Sequence, residues 1–199
     1  MHSLSVVLAL TTVVTGAIAD LFSTGPSYIR IVGRTNMSIN GYTEACSSGS
    51  GEQGLCYVDR LPDDKVFSQF YFNYTVSAGG VRAGMITFNM NVNGTEPMSS
   101  AVRLVENPGS NVNLISLPVI LDKPLTFSAV DDGHLYLSGI RDDTHWNETR
   151  PDFEGNLNMA NFFLCWQWVG IYWYYSLAWA TSLSPQNPSC EAVDLLLTV

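Results

Sequence analysis

The sequence predicts an antiparallel all-β domain, a sandwich or barrel of about eight to eleven short strands. Three observations carry this. Apolar and polar residues alternate with a period of two along most of the chain. Turn residues interrupt the alternation at short intervals, and no stretch of useful length shows the period of an amphipathic helix. A β-trefoil would also suit the length, but no threefold repeat is visible.

The first element reads as an address. An apolar run from Leu4 to Val14 is broken by Thr15 and Gly16, and Ala17-Ile18-Ala19 supplies the small-x-small pattern at which a signal peptidase cuts. The run falls short of the roughly 20 residues that span a bilayer. Residues 1–19 are therefore expected to be a signal peptide, and residues 20–199 a single secreted domain. A length near 180 residues supports one full core.

The strands follow in order. Ser27 to Val32 comes after a Gly25-Pro26 turn signal. In Val66 to Val76, the side chains of Val66, Phe70, Phe72, Tyr74 and Val76 share a face with Ser68, opposite Gln69, Asn73 and Thr75. Ala83 to Val92 places Gly84, Ile86, Phe88, Met90 and Val92 inside. In Leu125 to Ile140, two apolar runs flank Asp131-Asp132-Gly133, the signature of a hairpin whose turn needs positive φ. Phe162 to Trp179 reads as two strands turning at Gly170, with Trp173, Tyr175, Leu177 and Trp179 on an expected core face and Tyr172, Tyr174, Ser176 and Ala178 on the other. Cys190 to Val199 closes the set, with Val193, Leu195, Leu197 and Val199 alternating against Asp194, Leu196 and Thr198. Further turns are expected at Leu61-Pro62-Asp63-Asp64, Gly79-Gly80, Asn93-Gly94, Asn107-Pro108-Gly109 and Asn187-Pro188.

Composition limits the partners. Hydrophobic residues at 46% and charged residues at 14% exclude a disordered chain, which is polar and highly charged. With 9 Lys plus Arg against 18 Asp plus Glu, the net charge of −9 offers no footprint for nucleic acid or anionic lipid. No charge interrupts the chain between Glu154 and Glu191, yet a membrane span is not expected there. Its aromatics are distributed throughout instead of gathering at two interfaces, and no Lys or Arg flanks its C-terminal side.

Asn36, Asn73, Asn93 and Asn147 each head an N-x-[ST] sequon and are the expected glycosylation sites, whereas Pro188 excludes Asn187. Such asparagines belong on solvated faces. The four cysteines suit an oxidising, extracellular compartment. Of three possible connectivities, Cys46–Cys56 and Cys165–Cys190 are favoured because each closes a local loop. The first encloses a stretch with Gly49, Gly51 and Gly54, which is costly to order unless bridged. No CxxC is present, and no histidine lies near a cysteine in sequence, so neither metal nor cofactor is expected.

Motifs for catalysis are absent: no G-x-S-x-G, H-E-x-x-H or P-loop. His134 follows a hairpin turn and His145 sits in a polar loop beside the Asn147 sequon, poor settings for a nucleophile's base. The acid pairs Asp131-Asp132, Asp142-Asp143 and Asp152 with Glu154 are in turn-like contexts, where carboxylates serve the backbone. No catalytic residue is assigned. The aromatics, with 5 Trp and 9 Tyr, give the one positive hint of binding. Trp173 and Trp179 are expected in the core, and Trp146, Tyr172 and Tyr174 are the candidates for an exposed sugar-stacking surface.

Two stretches carry a resemblance. Gly41-Tyr42-Thr43-Glu44-Ala45-Cys46 with Glu52 and Leu55-Cys56 is one; Cys165 with Tyr174, Leu177-Ala178-Trp179 and Pro185-Gln186-Asn187-Pro188-Ser189-Cys190 is the other. They resemble an uncharacterised family of small secreted proteins of filamentous fungi, a domain of unknown function. The resemblance implies secretion, a β-rich fold and the two local bridges, and it implies no activity. The family pattern has a histidine after the first cysteine; Ser47 stands there in this chain, which argues against metal binding by that loop.

The leading expectation is a secreted, non-catalytic module at the cell surface or a host interface, with extracellular glycan or protein as partner. The alternatives are a hydrolase using a carboxylate pair on polysaccharide, and a small-molecule carrier with a hollow barrel.

Overall fold

The computed structural model describes residues 20–49, 51–90, 97–119, 123–140 and 157–199. The expected leader, the sequons at Asn93 and Asn147, Trp146, His145 and the acids Asp142, Asp143, Asp152 and Glu154 lie outside the described residues. The chain is nearly all antiparallel sheet. Its strands are β1 (Phe22–Gly33), β2 (Asn40–Ser47), β3 (Gln53–Val58), β4 (Phe70–Val76), β5 (Arg82–Met90), β6 (Met98–Ala101), β7 (Arg103–Val105), β8 (Val112–Leu117), β9 (Phe127–Ala129), β10 (Leu135–Ile140), β11 (Leu157–Met159), β12 (Phe162–Val169), β13 (Tyr172–Ala180) and β14 (Glu191–Thr198). That is more strands than the alternation predicts, and β7 and β11 among the additional ones are only three residues long. So short a strand shows no period.

Strand β1 joins two layers. Its first half pairs with β4 from Phe22 to Ser27, and its second half pairs with β14 and β2 from Tyr28 to Gly33. The register shifts between Thr24 and Ser27, where Gly25-Pro26 stands. This corrects the expected turn: Gly25-Pro26 is a bulge inside one long strand. Proline has no N–H for the ladder, so a strand bends and changes partners there.

One layer runs β11-β10-β9-β5-β4 and ends on the first half of β1, with β6 along β5. The other closes on itself, through the pairings β1–β2, β2–β3, β3–β13, β13–β12, β12–β14 and β14–β1. The ring closes through short pairings at two of its seams, two residues between β12 and β14 and one between β13 and β3. Its interior is filled by Ile29, Ile31, Leu55, Phe162, Leu164, Leu177, Trp179, Val193 and Leu195, in one cluster with Phe70, Phe72, Ile86, Phe88 and Leu135 of the open layer. A carrier's hollow interior is therefore not what the ring encloses.

The alternation reads correctly over most strands. Phe70 and Phe72 of β4, and Ile86, Phe88 and Met90 of β5, are buried. Val66 is a correction: it is exposed, in a short 3-10 turn over Lys65–Ser68 capped by the Asp64 side chain. That cap ends the period-two pattern before Phe70. The Asp131-Asp132-Gly133 hairpin forms as expected, with Gly133 at φ 88° and its N–H donating to Val130 O. Leu197 N–H then donates to Gly133 O at 2.8 Å, tying this hairpin to β14 and so one layer to the other. Among the described residues no helix is long and apolar enough to cross a membrane.

Both expected disulfides are present. Cys46–Cys56 has a Cα separation of 5.8 Å and Cys165–Cys190 one of 4.2 Å, and no described cysteine is free. Two such bridges are typical of extracellular proteins.

Candidate functional site

The site is built on the β12–β13 hairpin. Its register places Phe162 opposite Trp179, Leu164 opposite Leu177, Trp166 opposite Tyr175, and Trp168 opposite Trp173. These pairs share one face, so a single stripe runs from the core to the hairpin tip. The stripe changes character along its length. Phe162, Leu164, Leu177 and Trp179 are buried, Tyr175 is half-buried, and Trp166, Trp173 and Trp168 are 46%, 52% and 62% exposed. The reason is where the neighbours stop. Strand β14 pairs with β12 only at Phe163 and Leu164, and β3 pairs with β13 only at Ser176. Among the described residues no ladder pairing flanks the hairpin beyond those positions, and the three tryptophans stand about half in solvent.

The expectation that Trp173 is core is thus corrected. Period-two alternation assigns it the face of Leu177 and Trp179, and that face is right. Burial also depends on neighbouring strands, which the pattern does not contain. Of the expected binding residues, Tyr172 is 46% exposed beside the tip, while Tyr174 is half-buried against the Cys46–Cys56 bridge and Val169. Their rings lie 6.0 Å apart.

Rings along the stripe touch in sequence. Tyr57 meets Tyr175 edge-on at 5.9 Å, Tyr175 meets Trp166 at 5.5 Å, and Trp168 meets Trp173 at 5.3 Å with their planes 66° apart. Burial pushes the Tyr175 phenol up to about 12, with the charge of Glu191 and then Tyr57 adding to the effect. Burial likewise raises Tyr57, whose oxygen accepts a hydrogen bond from Asn40 N–H at 3.2 Å. Glu44, on β2, is also raised by burial.

A groove of about 410 Å³ runs between the hairpin and the β7–β8 loop, lined by Trp166, Gln167, Trp168 and Trp173 with Glu106 and Asn107. A second hollow, of about 490 Å³, lies on the loop's other side against Asn111, Asn113 and Trp179, and Glu106 and Asn107 line it too. Glu106 is the one charged side chain lining either hollow among the described residues.

The walls are pinned. Asn111 and Gln186 exchange hydrogen bonds of 2.8 Å in both directions, and Asn107 N–H donates to Asn113 Oδ1 at 3.1 Å. Asn187 Nδ2 donates to Trp166 O at 2.9 Å, and Trp166 N–H donates to Ser189 Oγ at 3.0 Å. The Cys165–Cys190 bridge anchors that segment beside the hairpin. Such a groove is shaped before any ligand arrives, which lowers the entropy lost on binding.

No family model, curated protein or solved structure matches this chain. The site must therefore be read from its own chemistry. The described acid pair is remote from the groove in kind and in element: Asp132 accepts from His134 N–H at 3.0 Å and pairs with His134 Nδ1 at 2.8 Å, which holds its carboxyl below the usual range. This is turn chemistry on the β9–β10 hairpin, as the sequence suggests. Among the described residues no group of His, Cys, Asp and Glu is arranged to hold a metal ion.

Sequence reasoning missed Trp166, Trp168, Trp173, Gln167 and Glu106. One signal was available. Trp168 and Trp173 sit one residue outside the Val169-Gly170-Ile171-Tyr172 turn, and residues nearest a hairpin tip outrun their neighbours first.

Proposed function

We propose that this chain is a secreted, non-catalytic β-domain that binds extracellular glycan in the Trp166–Trp168–Trp173 groove, as a cell-surface or host-interface protein of the fungal kind its sequence resembles. The observation that carries this reading is the exposure of three tryptophans on a braced hairpin, facing a loop rich in side-chain amides. A sugar ring has an apolar C–H face that stacks on indole and a rim of hydroxyls that pair with a side-chain amide such as that of Asn107. The volume suits a few sugar units. The 66° angle between the Trp168 and Trp173 planes gives a bent surface, which favours a single glycan chain over a flat crystalline one.

The test is a glycan array followed by titration with the best soluble oligosaccharide. Trp168→Ala and Trp173→Ala should each weaken binding about tenfold, from lost stacking and burial, without changing the fold. Unaltered affinity in both variants, or no retained glycan at all, would overturn the proposal. Hydrolytic turnover of the bound chain would overturn its non-catalytic part.

A further inference from the structure

Resting on that glycan reading, we infer that the groove selects a protonated amino sugar over its neutral N-acetylated form. The inference comes from charge. Glu106 lies at the junction of the two hollows, its carboxylate is exposed, and it makes no hydrogen bond or ion pair with any described residue. Nearby cations are committed elsewhere: Arg103, three residues before it, is held by Glu52 at 2.8 Å, and Glu52 also accepts from Ser116 Oγ. No Lys, Arg or His lines either hollow among the described residues. A free carboxylate beside three indole faces is the chemistry that recognises an organic cation, because the ring quadrupole and the charge attract it together. The chain's net charge of −9 adds a field of the same sign. Nothing in the groove would reward an anionic sugar, and Glu106 would repel one.

An amino sugar fits both halves of the site. Its ring stacks on indole, and its ammonium donates to Glu106 while lying near an aromatic face. An N-acetyl group removes the charge and leaves the stacking.

The experiment compares a β-linked N-acetylglucosamine oligomer with its deacetylated counterpart at a pH where the amines are protonated. The deacetylated oligomer should bind about fivefold tighter, the scale of one exposed cation site. Glu106→Gln should remove most of that preference by weakening the deacetylated oligomer far more than the acetylated one. Trp173→Ala should weaken both ligands, because each loses stacking. The preference should shrink in high salt, and as rising pH strips the amine of its proton. A preference that survives Glu106→Gln would trace to net charge alone and overturn the inference. Equal affinity for the two oligomers would overturn it and leave the glycan reading standing if Trp173→Ala still weakens binding. Binding of neither, with an empty array, would remove both.

Discussion

Gly170→Ala, read against Gly80→Ala, tests the seating of the hairpin that carries the site. Both glycines adopt positive φ, 61° at Gly170 and 79° at Gly80, so an alanine at either suffers the same left-handed penalty of about 1–2 kcal/mol. Both substitutions also stiffen the unfolded chain, which offsets the penalty by about 0.4–1 kcal/mol. The surroundings differ. At Gly80 a new Cβ meets nothing within 4 Å. At Gly170 it would stand 2.1 Å from Ser48 O and 2.7 Å from Ser48 Cβ. That carbonyl also accepts from Ile171 N–H at 3.1 Å, so it cannot retreat without losing the bond that fastens the tip to β2. Backbone crowding of this kind costs about 1–3 kcal/mol. Shared terms cancel between the variants, and the difference isolates the Ser48 contact. With an m-value of about 2 kcal/mol/M in urea, the two midpoints should differ by about 0.5–1.5 M, Gly170→Ala being the weaker. Sugar affinity should fall for Gly170→Ala alone, because its tip must move. Equal midpoints would show that the tip does not rest on Ser48, and the account of a braced groove would fail with it.

Two further outcomes follow from the same geometry. Tyr175 has its phenol raised to about 12 from an ordinary 10, so the folded state keeps a proton that the unfolded state releases; its contribution to stability is complete below pH 10 and is lost as pH climbs toward 12. In an ultraviolet titration of tyrosinate, Tyr175→Phe should delete one phenol from the last class to ionise, and loss of an early-titrating phenol instead would contradict its burial. Replacing Cys165 and Cys190 by serine opens a 25-residue separation, worth about 3.5 kcal/mol in the chain-entropy picture, against about 2.7 kcal/mol for the 10-residue Cys46–Cys56 separation. Denaturant midpoints should follow that order, and a reversed order would place the larger constraint at the first loop.

The residues alone determined the strand type and most of the buried face, and favoured the disulfide pairing that forms. These are local matters: a period of two, a bridge across a short loop, an Asp-Gly turn. Phe72, Ile86, Leu177 and Val193 are buried where alternation puts them. Only the assembled sheet decided which end of each apolar stripe meets water. Trp179 and Trp173 are indistinguishable in pattern, yet one is buried and the other half in solvent, because the pairings to β14 and β3 stop short of the hairpin tip. Glu106 is equally mute in sequence. It gains meaning only when a loop some sixty residues before the hairpin is laid beside three tryptophans, since an aromatic face and a charge recognise a ligand by their separation in space, and chain distance carries no record of it.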